Sequence, residues 1–549
     1  MPNYLNPPAT PVCKVGGSNA LCMLGFARKT ISGARDDAAL NGANANNEDR
    51  SRTYVELTAN SLRGVIGKVF RACDSFAVAA VRDDNSLVEY DKAVVESLSL
   101  LEQKLVAQTD LAADPLAEAR TNTVGGALEN LERALNGFRN NPNNADQKEA
   151  VRVAAKKLVA AVKQADSYVV EVENTLKAKV ENSVVRVNEL LGTIGKLTKD
   201  IARNEGSGRR LFDLEDQWDK AVRDLSCYIP VEVQLRSEQV NGFERRTREV
   251  LIKREDGLAA GDIVVGGPNP PLVVGDRLLV NAKGETMKFF AEHIAGNNVR
   301  VDGLSIAEQA PGAAGVRIGV GPGLAVGNAG PTAFEDYLKR NSVFGGSLAC
   351  DLNLLGGSVL TGAEASAAHR TIPQYKQLLN ELVGGVLPPG PAGPPPPVPI
   401  GGIVRTFNAA NGGANDLFAG NDVATFALSP GWLGAPNELQ HQRAQQVADC
   451  MTNENAIVFG GVGGPDTTFI GFYNRLSTDL GRDIYAANAN KKAHTEALEV
   501  DKDRRNETSA VDLSGEAATM SELDSLFRFV LETVRLVLGH LRLCVELMR

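Results

Sequence analysis

The chain has little of what most chemistry requires. Histidine occurs five times in 549 residues, at His293, His369, His441, His494 and His540. None lies near another, and none has a cysteine or carboxylate at metal-ligand spacing, so no metal site is expected. The seven cysteines are scattered at Cys13, Cys22, Cys73, Cys227, Cys350, Cys450 and Cys544, with no CxxC. An odd number with long gaps argues against a disulfide framework, and buried free thiols are expected. Aromatics make up only 5%, so platforms for stacking bases or sugars are scarce. Basic residues do not prevail: Lys plus Arg is 58 against 67 for Asp plus Glu, a net charge of −9. That balance argues against a nucleic-acid binder, which needs a basic face.

Other signals are missing too. No 18-residue uncharged apolar run occurs, so no membrane-spanning helix is expected. The opening MPNYLNPPATPVCKVGG has no basic region followed by an apolar one, so no cleaved Sec-type signal is expected. GxSxG, HExxH and GxxxxGK[ST] are absent. The glycine runs FGGVGG (459–464) and GVGPG (319–323) do not have the strand–helix setting of a phosphate cradle. With no nucleophile, base or metal nominated, the chain reads as a non-enzyme that binds no cofactor.

What is present is helical periodicity at both ends. Leu24, Ala27, Ile31, Ala34 and Ala38 step by three and four, the spacing of a coiled-coil seam. Leu523, Phe527, Val530, Val534, Val537, Leu541, Cys544 and Met548 do the same, with Arg528, Arg535, Arg542 and Arg549 recurring every seven residues beside them. Leu526, Leu531, Leu536, Leu538, Leu543 and Val545 make this last helix apolar well beyond one stripe. Such a helix must be covered on several sides. Burial in an assembly is one reading, and a core helix of a single domain is the other.

Between the ends, Leu128, Leu131, Leu135 and Phe138 mark a short amphipathic helix. RNNPNNADQ (139–147) is a turn, with Asn144 or Asp146 as candidate cap. A seam from Val151 to Ile201 runs without proline from 145 to 204, which predicts a rod on the order of 90 Å long. A second long helix is expected over 467–505, with Phe472, Leu476, Leu480, Ile484, Ala487 and Leu498 on one face. Residues 229–350 differ: short β-type runs such as DIVVGG and PLVVGDRLLVNAKGE are separated by Gly, Asn and Asp turns. VLPPGPAGPPPPVPIGG (386–402) reads as a stiff surface loop. The fold class is mainly α with an inserted β-rich domain. Terminal coiled-coil helices (1–55 and 505–549) form an inner domain, a long-helix rod covers 56–228 and 351–504, and an outer β module covers 229–350.

NGANANNEDRSRTYVEL (41–57) resembles the N-terminal signature of bacterial flagellar rod, hook and hook-associated proteins, roughly NNxANxxTxGYxR. Asn41, Ala43, Asn44, Ser51 and Arg52 match, Leu40 stands for the first Asn, and Asp49 and Arg50 replace the Gly and Tyr. Within that family, further stretches select the type that forms the first hook–filament junction. DLEDQWDKAVRDLS (213–226) is similar to DLLDQRDxLxxxLS through Asp213, Asp216, Gln217 and Asp219, with Trp218 where Arg is usual. RRNETSAVDLSGEAATM (504–520) is similar to RxSxSGVNLDEEAANL through Val511, Leu513, Glu516 and Ala517. ALENLERALNGFRNNPNNADQ, RTIPQYKQLLNELV and TTFIGFYNRLSTDLG carry looser matches in the same order.

The resemblance implies a structural protein of the flagellum that joins hook to filament and is exported through the flagellar type III apparatus to the extracellular organelle. It implies self-association in a helical ring and contact with the hook protein and the second junction protein. It also implies an export chaperone on the C-terminal helix, with no nucleic-acid or membrane partner. Leu24, Ile31, Ala34, Ala38, Leu523, Phe527, Val530, Val534, Val537 and Leu541 are the expected assembly seam. The alternatives are another axial protein (the second junction protein, or a flagellin-like one) and a secreted coiled-coil interaction protein.

Overall fold

The computed structural model of the chain describes residues 3–4, 16–45, 47, 49–60, 64–105, 123–204, 209–240, 243–253, 278–294, 298–304, 345–356, 370–385, 401–412, 416–434, 439–453, 457–458, 466–509 and 512–547. Both glycine runs and all but the last two residues of the proline-rich loop lie outside them. The fold is mainly α with small antiparallel sheets.

The first and last helices, α1 (Gly16–Ala43) and α12 (Leu513–Leu547), pack antiparallel. Their shared core is Ala27, Ile31 and Ala34 against Leu523 and Val530, with Leu24, Phe527 and Val534 at its edge. Alanines on α1 let the two backbones approach closely. A hairpin of β2 (Thr53–Asn60) and β3 (Gly64–Arg71), registered from Thr53 opposite Arg71 to Asn60 opposite Gly64, lies on α1. Val55 and Leu57 face the helix. Gly67 permits the approach, because a Cβ there would stand 2.7 Å from Thr30 Cγ2. The short β1 (Asn3–Tyr4) pairs with β3.

The rod begins with α2 (Ser75–Leu105), which runs antiparallel to α11 (Phe469–Ser509). Tyr473 donates its hydroxyl to the Leu105 carbonyl at 2.7 Å, and His494 Nδ1 lies 2.6 Å from Asp91 Oδ2. Next come α3 (Val124–Asn140) and α4 (Ala145–Arg203), a single helix of 59 residues. Asn144 caps it, accepting from the Asp146 N–H at 2.7 Å. Leu98, Leu128, Leu158 and Phe472 belong to the main core, closed by α6 (Ser347–Gly356), α7 (Ile372–Gly384), α8 (Ile403–Ala410) and the short α9 (Pro430–Gly434) and α10 (Ala444–Asp449). Helix α7 starts on a capping box between Thr371 and Gln374. Its Tyr375 hydroxyl donates to Asp483 at 3.1 Å.

The second half of α4 carries another core with α5 (Arg209–Ser226) and the β strands. One sheet has the order β4 (Val231–Val240), β5 (Phe243–Ile252), β6 (Leu278–Val280), and a separate hairpin joins β7 (Lys288–Ile294) to β8 (Asn298–Leu304). Val250, Ile252, Leu279 and Phe289 meet Val187, Ile194 and Trp218, so these strands are packed on the rod. Trp218 donates to Thr198 Oγ1 at 3.0 Å, and the Arg248 guanidinium lies 5.3 Å from its ring centre. Gly195 admits the turn at Gly284 (φ 71°), since a Cβ on Gly195 would meet the Gly284 oxygen at 2.7 Å.

The cysteines correct one expectation. Cys350 and Cys450 are buried free thiols, but Cys73 and Cys227 are half-buried and Cys544 is exposed. Cys22, half-buried on α1, is disulfide-bonded. Burial pushes the Cys227 thiol up to about 11 and that of Cys450 to about 12, so both stay protonated near neutrality.

Candidate assembly surface and its joint to the rod

The α1–α12 pair covers only part of the apolar surface of α12. Ile31, Ala34, Ala38, Leu523 and Val530 are buried, Leu24, Phe527, Val534 and Val537 are half-buried, and Leu541 is exposed. On the remaining faces Leu526, Leu531, Leu538, Leu543 and Val545 are open to solvent, Leu536 is 60% exposed, Phe529 71% and Leu547 83%. Scattered apolar residues on a surface need no explanation, but a continuous face along one helix marks an interaction site. Arg28 and Arg35 of α1 stand 5.9 and 5.8 Å from the Phe527 ring centre, and Arg35 pairs with Asp524 at 3.0 Å. These contacts set the antiparallel register.

The residues of the sequence motifs converge at the base of this pair. Asn41, near the end of α1, donates to the Thr53 carbonyl at 2.5 Å and accepts from the Thr53 N–H at 3.2 Å. Asn44 donates back to the Leu40 carbonyl at 2.7 Å, which closes the helix end. The chain then crosses the face of α5 as a strap. Ser51 N–H donates to Asp216 Oδ2 at 3.2 Å, Arg50 pairs with Asp213, and Arg52 Nε reaches Glu516 Oε1 at 2.6 Å. The Arg52 N–H donates to the Ser509 carbonyl at 2.8 Å, which ties the strap to the end of α11. Ala43, Gln217 and Leu513 are exposed and take no part.

Arg71, Asp49, Lys220 and Arg223 complete the joint. Arg71, at the end of β3, places Nη2 2.6 Å from both Asp216 Oδ1 and Asp219 Oδ2. Asp49 pairs with Lys220 at 2.5 Å and with Arg223. Asp49 and Arg50 are two of the positions where this chain departs from the signature, and these departures supply charges that meet α5. Arg71 carried no sequence signal, because a lone arginine at a strand end has no period or spacing.

The electrostatics reflect burial. Burial pulls the Arg71 guanidinium down, but Asp219 and Asp216 outweigh it and hold its pKa above the usual arginine value. Burial pushes the Asp216 carboxyl up, against Arg71 and the Ser51 N–H. The pair is a mutual requirement, since either partner alone would be a buried, uncompensated charge. No group of three or more His, Cys, Asp and Glu side chains could hold a metal ion among the described residues, and none of their helices is long and apolar enough to cross a membrane.

Comparison with known proteins finds similarity to one family over part of the chain. Residues 113–262 match the family model of the flagellar hook-associated protein FlgK helical domain, which covers α3, α4, α5 and the β4–β5 hairpin. Flagellar hook-associated protein 1 of Bacillus subtilis (strain 168) is 27% identical over 251 residues, 41% of this chain and 46% of that protein. The chain therefore matches less than half the length of that curated relative. A solved structure of the flagellar hook junction protein FlgK from Burkholderia pseudomallei aligns with a TM-score of 0.32 at 16% identity, covering 57% of this chain and 44% of that one. Helical-domain match, curated relative and the motifs at both ends agree: this chain is similar to flagellar hook-associated protein 1, FlgK.

Proposed function

We propose that the chain is a structural component of the bacterial flagellum that joins hook to filament as an axial junction protein. The observation that carries this reading is the open apolar face of α12. Each large side chain on it contributes roughly 1.5–3 kcal/mol only when covered, and α1 covers one stripe. Copies of the same helix pair, stacked side by side, supply that cover. The protein is then a scaffold, not a catalyst, and α1 and α12 (within 1–55 and 505–549) form its inner layer. The helices within 56–228 and 351–504 form the rod around that layer, the β2–β3 hairpin stays with α1, and the β-rich part of 229–350 lies outermost. Its neighbours are further copies of itself, the hook protein and the second junction protein. It leaves the cell through the flagellar type III apparatus, with a chaperone covering α12 on the way. The test is a strain lacking the gene, inspected by electron microscopy. Hooks without filaments, and filament subunits in the medium, are the expected outcome. Full-length filaments on that strain would overturn the proposal.

A further inference from the structure

Helices α2 and α11 meet along a seam whose character changes partway. Its members recur every seven residues on both helices: Asp84, Asp91, Leu98 and Leu105 on α2, and Leu480, Ala487, His494 and Asp501 on α11. Such a step is the repeat of a coiled coil. The four apolar members are buried in the main core. The other four are titratable, and they meet in two pairs one heptad apart. His494 Nδ1 lies 2.6 Å from Asp91 Oδ2. The Asp84 and Asp501 carboxyls hydrogen-bond to each other. Two carboxyl groups can do so only with a proton between them. Between Ala487 and Arg505, Leu498 is the one buried residue of α11, so apolar burial does little to hold these turns.

The surroundings leave both pairs dependent on protons. Asp91 is buried, and α6 sets Cys350 near it, a thiol that burial keeps protonated and uncharged. Cations of the neighbouring elements face other groups: Lys179 of α4 pairs with Glu96, Lys253, just past β5, with Asp83, and Lys92 with Glu89. On α11, Lys502 pairs with Glu499, Arg505 donates to Asn506, and Lys491 stands half-buried one turn before His494. Burial pushes the Asp84 carboxyl above its ordinary value and Asp501 pushes it further, with His494 pulling the other way. The folded chain therefore holds that proton more tightly than the unfolded chain does. This contribution is full below the ordinary aspartate value, about 3.9, and is lost as pH rises through the raised one. Histidine loses its charge between about pH 5 and 8. Once His494 is neutral, Asp84, Asp91 and Asp501 are three carboxylates between two helices, and a buried carboxylate without a counter-charge is costly. We propose that this stretch is a proton-closed clasp: protons hold the lower turns, 84–91 and 494–501, together, and their loss at rising pH parts those turns while the apolar turns above stay paired. The clasp lies within α2 and α11 and requires nothing of α1 or α12.

The test is hydrogen exchange of the full-length chain at about pH 5 and about pH 8, with each rate divided by the intrinsic rate at that pH. Protection over 84–91 and 494–501 is expected to fall at least about tenfold across that range relative to 98–105 and 473–487, the effect of about one unit of difference in a pKa. The contrast should persist in Asp351→Asn, which removes a neighbouring proton-linked group on α6. Asp501→Asn gives Asp84 an amide donor in place of the shared proton, and His494→Gln keeps a donor toward Asp91 whose charge does not change with pH. The double variant should show no pH contrast between the two stretches. Should it fail to fold, Asp501→Asn alone should shrink the contrast at least about threefold. Lower turns that keep pace with the upper ones at both pH values would overturn the clasp. So would lower turns without protection at about pH 5. A folded double variant that keeps the contrast, or an Asp501→Asn chain that keeps it whole, would do the same.

Discussion

Arg52 and Glu516 stand 464 positions apart in the chain and meet at 2.6 Å, Nε to Oε1, where the strap passes the first turn of α12. Glu516 is buried and Arg52 is a third exposed, so part of the interaction is screened by solvent. Arg52→Ala is expected to cost about 1–2 kcal/mol, less than a fully buried pair would. Hydrogen exchange should speed up in α1 and α12 and not in α4. Unchanged protection of both terminal helices would refute the tie.

The seam makes a sharper contrast. Val530 is buried between α1 and α12, whereas Arg535 is exposed. Val530→Asp places a charge in an apolar interface, a cost of several kcal/mol. Arg535→Ala removes an exposed charge, a cost of under about 1 kcal/mol. The first variant should keep a folded rod by circular dichroism and lose self-association in sedimentation. The second should sediment like the parent chain. Identical behaviour of the two would show that this helix is not an assembly seam.

Trp218 tests the second core. Trp218→Ala deletes a buried indole and is expected to cost about 3–5 kcal/mol. Trp218→Phe retains most of the volume but leaves Thr198 without the indole donor, about 1 kcal/mol. Urea unfolding followed by circular dichroism should rank them in that order. A neutral Trp218→Ala would mean that the β4–β5–β6 sheet does not depend on α5.

Asp351 on α6 gives a pH dependence of known sign. Burial pushes its carboxyl up to about 7, with Lys179 pulling it down and Glu96 pushing it further. In the unfolded chain it ionises near the ordinary aspartate value, about 3.9. Between these values folding takes up a proton. Its contribution is therefore full below about pH 4 and is lost as pH rises through about 7. Over three units that is on the order of 4 kcal/mol. Asp351→Asn should be more stable than the parent at pH 8 and no different at pH 4, by denaturant melts at each pH. A constant difference across that range would remove Asp351 as the cause.

Much of the helical frame was legible, because a long seam repeats its signal. The α4 pattern from Val151 to Ile201 could belong to nothing but one helix, and Asn144 marks its start. Helix α11 was read through Phe472, Leu476 and Leu480, but its partner α2 was not. The buried face of α2 includes Arg82, Ser86, Asp91 and Ser97, which interrupt the apolar period that a reader counts. The strands after α5 were visible as short β-type runs between turns, but such a run does not name what covers it, so their packing on Trp218 and Ile194 could not be read. At the joint, Asn41, Ser51, Arg52, Asp216 and Glu516 were found through motifs. Asp49, Arg50 and Arg71 were not found, since a charged residue in a sequence reads first as a solvated one.

The antiparallel pairing of α1 with α12 has a consequence for how the chain matures. The stripe of α1 that meets α12 must wait for a partner roughly five hundred positions downstream, and α2 waits nearly as long for α11. These are contacts of very high order, whose loop-closure entropy must be met before any burial rewards it. A chain that emerges amino end first, from a ribosome or a narrow conduit, therefore completes the middle of α4 with α5 early and its own two ends last. Until the final helix is free, the apolar stripe of α1 stays uncovered, and the interval before closure is when this protein is most open to capture by another chain.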